Sequence, residues 1–142
     1  MWSVAQLDSA LVQRVAWATP EFIEAQIVGY FPQVDRTYAI VEAQYGVMNE
    51  VGVAMGESTC ASVFYGKPAR ACPSCGGPLV DITILSVVAL ERCATARCAV
   101  ETMGALAQTL GYYAADTSYD EGGEALTVID ASEVGYTVAS SR

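Results

Sequence analysis

The segment over residues 38–64 constrains the fold more than any other stretch, because it predicts two paired strands. Apolar and β-branched residues fill most of it, and residues 49–52 (Asn-Glu-Val-Gly) stand in its middle. Asn tolerates left-handed backbone angles and Gly adopts them freely, so this tetrapeptide favours a tight turn between antiparallel strands. We therefore expect a hairpin whose turn begins at Asn49.

The second strand of this hairpin ends in a polar run, Gly-Glu-Ser-Thr-Cys over residues 56–60. Successive side chains of a strand alternate between faces, so Glu57 and Thr59 share one face while Ser58 and Cys60 share the other. A carboxylate, two hydroxyls and a thiol in a row indicate a binding site. A polar strand end that enters a loop is the alternative reading of the same residues.

Helical periodicity appears before and after this hairpin. Near the start, apolar spacing predicts a helix over residues 3–18, and a second short helix over 20–28 is the next expectation. Later, Asp81 is expected to cap one helix and Thr95 to cap another over about 96–110.

Two further signals complete the pattern after the helical pair. Gly111 is a good stop for the second helix, because glycine adopts the conformations that end helices. Strands are then predicted over residues 123–130 and 134–139, with a turn between them.

Composition excludes several functions. The net charge is −9, with 16 acidic against 7 basic residues, and the basic residues are scattered, which argues against nucleic-acid binding. The apolar runs are shorter than the roughly 18 residues of a membrane-spanning helix, so no membrane span is expected. No cofactor and no resident metal are predicted.

The sequence has no histidine. The absence of histidine excludes catalytic Ser-His-Asp triads, Cys-His pairs and histidine-ligated zinc sites within this sequence. A hydrolase without histidine needs another base, and the α-amino group of an N-terminal nucleophile, with a pKa of about 7.7–8.0, suits that role near neutral pH.

Four motifs in series resemble the dipeptidase A and secernin-like family of cysteine peptidases, which are N-terminal-nucleophile (Ntn) hydrolases. The resemblance spans roughly residues 29 to 134. Cys98 departs from it, because the family has an acidic residue after the preceding arginine. The motifs are Tyr-Gly-Val-Met-Asn-Glu at 45–50 with Val-Ala-Met-Gly-Glu-Ser-Thr-Cys at 53–60, Leu-Glu-Arg to Thr-Ala-Arg at 90–97, Met-Gly at 103–104 with Gly-Tyr-Tyr at 111–113, and Gly-Glu-Ala-Leu-Thr-Val at 123–128.

The resemblance implies a fold, an activity and a site. The fold would be α+β, part of an αββα sandwich in which residues 29–142 form a partial Ntn domain and residues 1–28 form an unplaced helical segment. The activity would be hydrolysis of dipeptides by a cysteine nucleophile. Since no Cys precedes Cys60, that nucleophile is expected upstream of this chain, which alone would be inactive.

The same resemblance implies substrate-binding residues. Glu57, Ser58 and Thr59 would line the substrate site, since related acylases place an oxyanion-binding side chain near there. Asn49 either binds substrate or only shapes the turn. Cys60 either packs in the domain or, after cleavage before it, becomes a nucleophile.

The other cysteines leave alternatives open. Cys72-Pro-Ser-Cys75 looks like half of a zinc ribbon, and Cys93 and Cys98 are the candidates for the other half. This suggests a rival function, a non-catalytic interaction or zinc-binding module around residues 72–75. A disulfide, either Cys72–Cys75 or between this loop and a helix, and free thiols are the other readings, with free thiols preferred. An incomplete sandwich also exposes an apolar face and a sheet edge, so self-association is expected.

Overall fold

The computed structural model describes residues 12–13, 30–60, 77–113 and 123–140. The chain divides into two compact units, residues 1–36 and 37–142. In the first, β1 (Val12–Gln13) pairs antiparallel with β2 (Tyr30–Phe31). The helix predicted over 3–18 is therefore wrong at Val12–Gln13, where a β-branched residue and its neighbour pair with the aromatic residues Phe31 and Tyr30, types that favour strands. The rest of that helix and the one over 20–28 lie outside the described residues.

The second unit is α+β, with one antiparallel sheet of five strands and two helices. The spatial order of the strands follows the chain, and each strand is antiparallel to its neighbours. The predicted hairpins on either side of the helical pair are confirmed. The strands are β3 (Ile40–Glu42), β4 (Gly46–Asn49), β5 (Ala54–Cys60), β6 (Gly123–Ile129) and β7 (Val134–Ser140).

The helical pair covers one face of this sheet. The first helix, α1 (Ile82–Arg92), contacts β3 and β4, and the second, α2 (Ala96–Leu110), contacts β6 and β7. We call this side the helix-covered face and the other side the open face. The core lies between the helices and the sheet, and its largest fully buried side chains include Leu85, Leu90, Met103, Leu126 and Val128. No helix among the described residues is long and apolar enough to cross a membrane.

Side-chain and glycine caps fix the helix ends as predicted. The Asp81 carboxylate accepts a hydrogen bond of 2.9 Å from the Ile84 N–H, and the Thr95 hydroxyl oxygen accepts one from the Cys98 N–H. Gly111 ends α2 at a φ of 71°, a conformation that glycine adopts without strain. The three caps confirm the helix boundaries expected from the sequence.

A bulge in β4 brings the sheet close to α1. Val41 pairs with Met48 and Glu42 pairs with Gly46, so β4 has one extra residue, Val47, at this point. The usual alternation is broken there, and Gly46 and Asn49 both face the helix. A Cβ atom on Gly46 would lie 2.8 Å from a methyl carbon of Leu90 and 3.1 Å from the Ser86 backbone, so a larger residue here would require Leu90 or α1 to shift.

Candidate functional site

The strands β4 and β5 separate soon after the turn that joins them. Their one register pair is Met48 with Ala54, whereas β5 pairs with β6 along its whole length. At Glu57 the backbone N–H donates to the phenol oxygen of Tyr45 at 3.3 Å. The polar end of β5 therefore borders a gap in the sheet pairing, spanned by a tyrosine side chain.

Carboxylates and tyrosines gather on the helix-covered face next to this gap. The Tyr112 hydroxyl donates to the Glu124 carboxylate, and the Tyr113 hydroxyl donates to Asp81 at 3.4 Å. Glu57 is close enough for its charge to act on Tyr112. We call these five residues the acidic cluster: Glu57, Asp81, Tyr112, Tyr113 and Glu124.

Burial within the acidic cluster is graded. Both tyrosines, Asp81 and Glu124 are buried, while Glu57 is only half-buried. The exposed Thr59 pairs across the sheet with Glu124, and its hydroxyl donates to the Glu57 carboxylate at 3.0 Å. Of the three acids, Glu57 is therefore the one that a ligand reaches from solvent.

The electrostatics keep Tyr112 protonated. Its burial raises the pKa of the phenol well above its ordinary value, and the hydrogen bond to Glu124 raises this pKa further. The negative charges of Glu124, Asp81 and Glu57 add to the effect. Tyr112 therefore acts as a hydrogen-bond donor in this cluster and not as a general base.

The structure separates the three polar residues predicted on β5. Glu57 and Thr59 lie on the helix-covered face with the acidic cluster, and the sheet itself stands between them and the exposed Ser58 on the open face. A ligand bound at the acidic cluster can touch the first two side chains but not the third. Substrate binding by all three stays a prediction.

Asn49 is buried, with 4% of its surface exposed, and its amide is engaged on both sides. The nitrogen donates to the carbonyl oxygens of Leu90 at 2.9 Å and Cys93 at 2.7 Å, while the oxygen accepts from the N–H groups of Val51 and Val53. These bonds attach the end of α1 to the β4–β5 turn. They support the structural reading of Asn49, and its role in substrate binding stays a prediction.

Cys93 and Cys98 form a disulfide, with 5.5 Å between their Cα atoms. The break between α1 and α2 turns the two side chains toward each other, so the preference for free thiols is wrong for this pair. Their sulfurs are also not available to complete a zinc site with Cys72 and Cys75, which lie outside the described residues. Within the described part of the chain, no group of three or more His, Cys, Asp or Glu is arranged to hold a metal ion.

The sequence interpretation missed the deeper half of the acidic cluster. Glu124, Leu126 and Val128 lie two residues apart along β6, so the strand pattern places this carboxylate on the same buried face as the two apolar side chains. A charged residue at a position that faces the core requires a polar partner, and this is the signal that could have pointed to Tyr112.

Comparisons of the chain with protein-family models, with curated proteins and with solved structures found no match.

Proposed function

We propose that this chain is part of a cysteine-type Ntn hydrolase that cleaves dipeptides, and that the acidic cluster recognises the α-ammonium group of the substrate. The observation that carries this proposal is the accessible Glu57 carboxylate at the edge of a buried group of acids. A dipeptide carries one ammonium group, and an ionised carboxylate is its strongest hydrogen-bond acceptor in proteins.

The hydrogen bonds within the cluster favour Glu57 for this role. The buried acids Glu124 and Asp81 each accept a bond from a tyrosine hydroxyl, which offsets the cost of removing them from water. Thr59 donates to one oxygen of Glu57, and a carboxylate can accept several further bonds. An ammonium group at this edge would also gain from the negative charges behind Glu57.

The open face of the sheet supports the two-sheet sandwich that the proposal requires. Register pairs join one row of apolar residues straight across all five strands. The outer members are well exposed, Val41 and Val134 at 56% each. A second sheet about 10 Å away would cover this row, as in other sheet-on-sheet packings. The row consists of Val41, Met48, Ala54, Ile129 and Val134.

In the proposed enzyme, the nucleophile is a cysteine that lies outside these 142 residues. Its thiolate would attack the scissile carbonyl, and its own α-amino group would take the thiol proton and return it to the leaving amine. The acidic cluster would hold the ammonium end of the dipeptide and so fix the position of the carbonyl. The chain alone is therefore expected to bind dipeptides without cleaving them.

Binding of simple dipeptides tests the recognition step. We expect alanyl-alanine to bind the chain saturably in a calorimetric or NMR titration, and N-acetyl-alanyl-alanine to bind at least tenfold more weakly, because acetylation removes the positive charge. Glu57→Gln should weaken alanyl-alanine binding about tenfold, the effect of one charged hydrogen bond. Glu101→Gln, the same change on the exposed side of α2, is the matched control.

Two results would contradict the proposal. Equal affinity for the free and the acetylated dipeptide would show that the acidic cluster does not recognise the α-ammonium group. Thiol-sensitive dipeptide cleavage by the chain alone, lost in Cys60→Ala, would make Cys60 the nucleophile and overturn the assignment of an upstream cysteine. Extension of the chain to include the expected cysteine should restore hydrolysis, and its change to Ala should abolish it.

A further inference from the structure

The disulfide at the corner between α1 and α2 joins two sulfurs in different environments. Cys93 is the C-cap of α1 and is fully buried, whereas Cys98 lies in the first turn of α2 and is half-buried. A thiol from solvent can therefore approach the sulfur of Cys98, while the protein shields the sulfur of Cys93. Disulfide exchange begins with in-line attack on one sulfur, so this asymmetry decides which one is attacked.

A hydroxyl group lies next to the sulfur that would leave. The Thr102 oxygen is 3.3 Å from the Cys93 sulfur and 4.0 Å from the Cys98 sulfur. Within the disulfide neither sulfur has a proton, so this hydroxyl donates. A thiolate formed at Cys93 would accept the same hydrogen bond more strongly, which favours its departure.

The charges around the corner are balanced. The N-terminal end of α2 favours a thiolate at Cys98 through its backbone dipole. Asp130 and Glu133 accept hydrogen bonds from the first N–H groups of the helix and oppose this effect, while Arg97, paired with Glu133 at 2.9 Å, restores positive charge.

We propose that Cys93–Cys98 is a reversible redox site that exchanges with low-molecular-weight thiols such as glutathione. A glutathione thiolate attacks the Cys98 sulfur, a mixed disulfide forms there, and the Cys93–Cys98 bond breaks to leave a thiolate on Cys93. A second glutathione thiolate attacks the glutathione sulfur of the mixed disulfide and releases Cys98 as a thiolate. Two glutathione molecules lose two electrons to become their disulfide, and both cysteines gain protons from solvent.

The corner does not depend on the disulfide for its geometry. Thr95 caps α2, Asp130 accepts from the Ala96 N–H at 2.7 Å, and Asn49 donates to the carbonyl oxygen of Cys93. The disulfide closes a loop with a sequence separation of only 5, so it constrains the unfolded chain less than a long-range bridge would. Reduction therefore leaves the helical pair folded, as a reversible site requires.

Reduction of the folded chain by glutathione, followed by alkylation and peptide mass mapping, tests this proposal. We expect Cys93 and Cys98 to be reduced without denaturant, with an unchanged far-ultraviolet circular dichroism spectrum. In Cys93→Ser, glutathione disulfide should modify Cys98, and in Cys98→Ser it should leave Cys93 unmodified. Thr102→Val should slow reduction about tenfold, while Thr109→Val, the same change at an exposed position of α2, should not.

Each opposite result would overturn the proposal. A disulfide that glutathione reduces only after denaturation is a structural bond. Equal modification of Cys93 and Cys98 in the two serine variants would remove the asymmetry on which the mechanism depends. An unchanged rate of reduction in Thr102→Val would show that the hydroxyl group does not assist the departure of the Cys93 thiolate.

Discussion

The two faces of the five-stranded sheet differ in how strictly they specify their side chains. On the helix-covered face, Met55 is 6% exposed and Asn49 is 4% exposed, and Gly46 leaves no space for a methyl group. On the open face, Met48 is 43% exposed and a Cβ atom on Gly56 would meet nothing within 4 Å. The same residue types therefore occur on both faces in opposite environments.

This difference shows that the helical pair, and not the strand sequence itself, determines which positions tolerate change. Residues on the helix-covered face are held by close contacts and by buried hydrogen bonds, both of which are lost on substitution. Residues on the open face keep much of their contact with water in the folded chain. Matched substitutions on the two faces measure this contrast directly.

The largest effect is expected for Asn49→Ala. This change removes two donated and two accepted hydrogen bonds, so the buried backbone groups of Leu90, Cys93 and Val53 lose this partner. We expect a loss of about 4 kcal/mol in the free energy of unfolding, measured by urea denaturation. Gln44→Ala, at an exposed amide residue before β4, should change it by less than about 0.5 kcal/mol. Similar values for both variants would mean that Asn49 does not hold α1 on the turn.

Methionine truncation on the two faces should give the next largest difference. Met55→Ala creates a cavity under the helices and should cost about 3 kcal/mol, as large-to-small changes in cores do. Met48→Ala removes a side chain that is already half in water and should cost less than about 1 kcal/mol. Denaturation midpoints of the two variants check this. Equal losses would show that the open face is covered in solution, as self-association through the apolar row would require.

Much of this contrast could be predicted from the sequence, because it depends on local patterns. Asp81, Thr95 and Gly111 identify the helix ends, and residues 49–52 identify the hairpin turn, since caps and turns need particular residue types at particular positions. Strand alternation also placed Glu57 and Thr59 on one face. These signals involve residues close together in the chain.

Other features could not be predicted, because they need contacts between distant segments. The pairing of Tyr112 with Glu124, and the two carbonyl groups that Asn49 bonds 41 and 44 residues away, depend on how the helices lie on the sheet. The Cys93–Cys98 disulfide depends on the angle of the break between α1 and α2. Helical spacing alone could not supply that angle.

Replacing Gly46 and Gly56 with alanine adds one methyl group to each face of the sheet and so compares the space available on the two faces. Gly46→Ala places a Cβ atom 2.8 Å from a Leu90 methyl carbon and 3.1 Å from the Ser86 backbone, so we expect a loss of about 2 kcal/mol from overpacking. Gly56→Ala has free space and should be neutral or stabilising by up to about 0.5 kcal/mol, because alanine loses less backbone entropy in a strand. Thermal unfolding of both variants measures the difference, and a destabilised Gly56→Ala would show that the open face is closely packed.

The smallest effect is expected outside both faces, at Asp130, which links the end of β6 to the start of α2. Backbone N–H groups of Ala96, Ser132 and Glu133 donate to its carboxylate, the bond from Ala96 being the strongest cause, and lower its pKa from 3.8 to about 2. Because the pKa is lower in the folded chain, this group stabilises the fold above about pH 4, and its contribution is lost as the pH falls toward 2. Asp130→Asn should therefore lower the melting temperature by a few degrees at pH 6 but by much less at pH 2. A difference in melting temperature that stays constant over this range would mean that the carboxylate charge does not hold α2 to the end of the sheet, and that contacts between the helices and the core alone fix the helical layer.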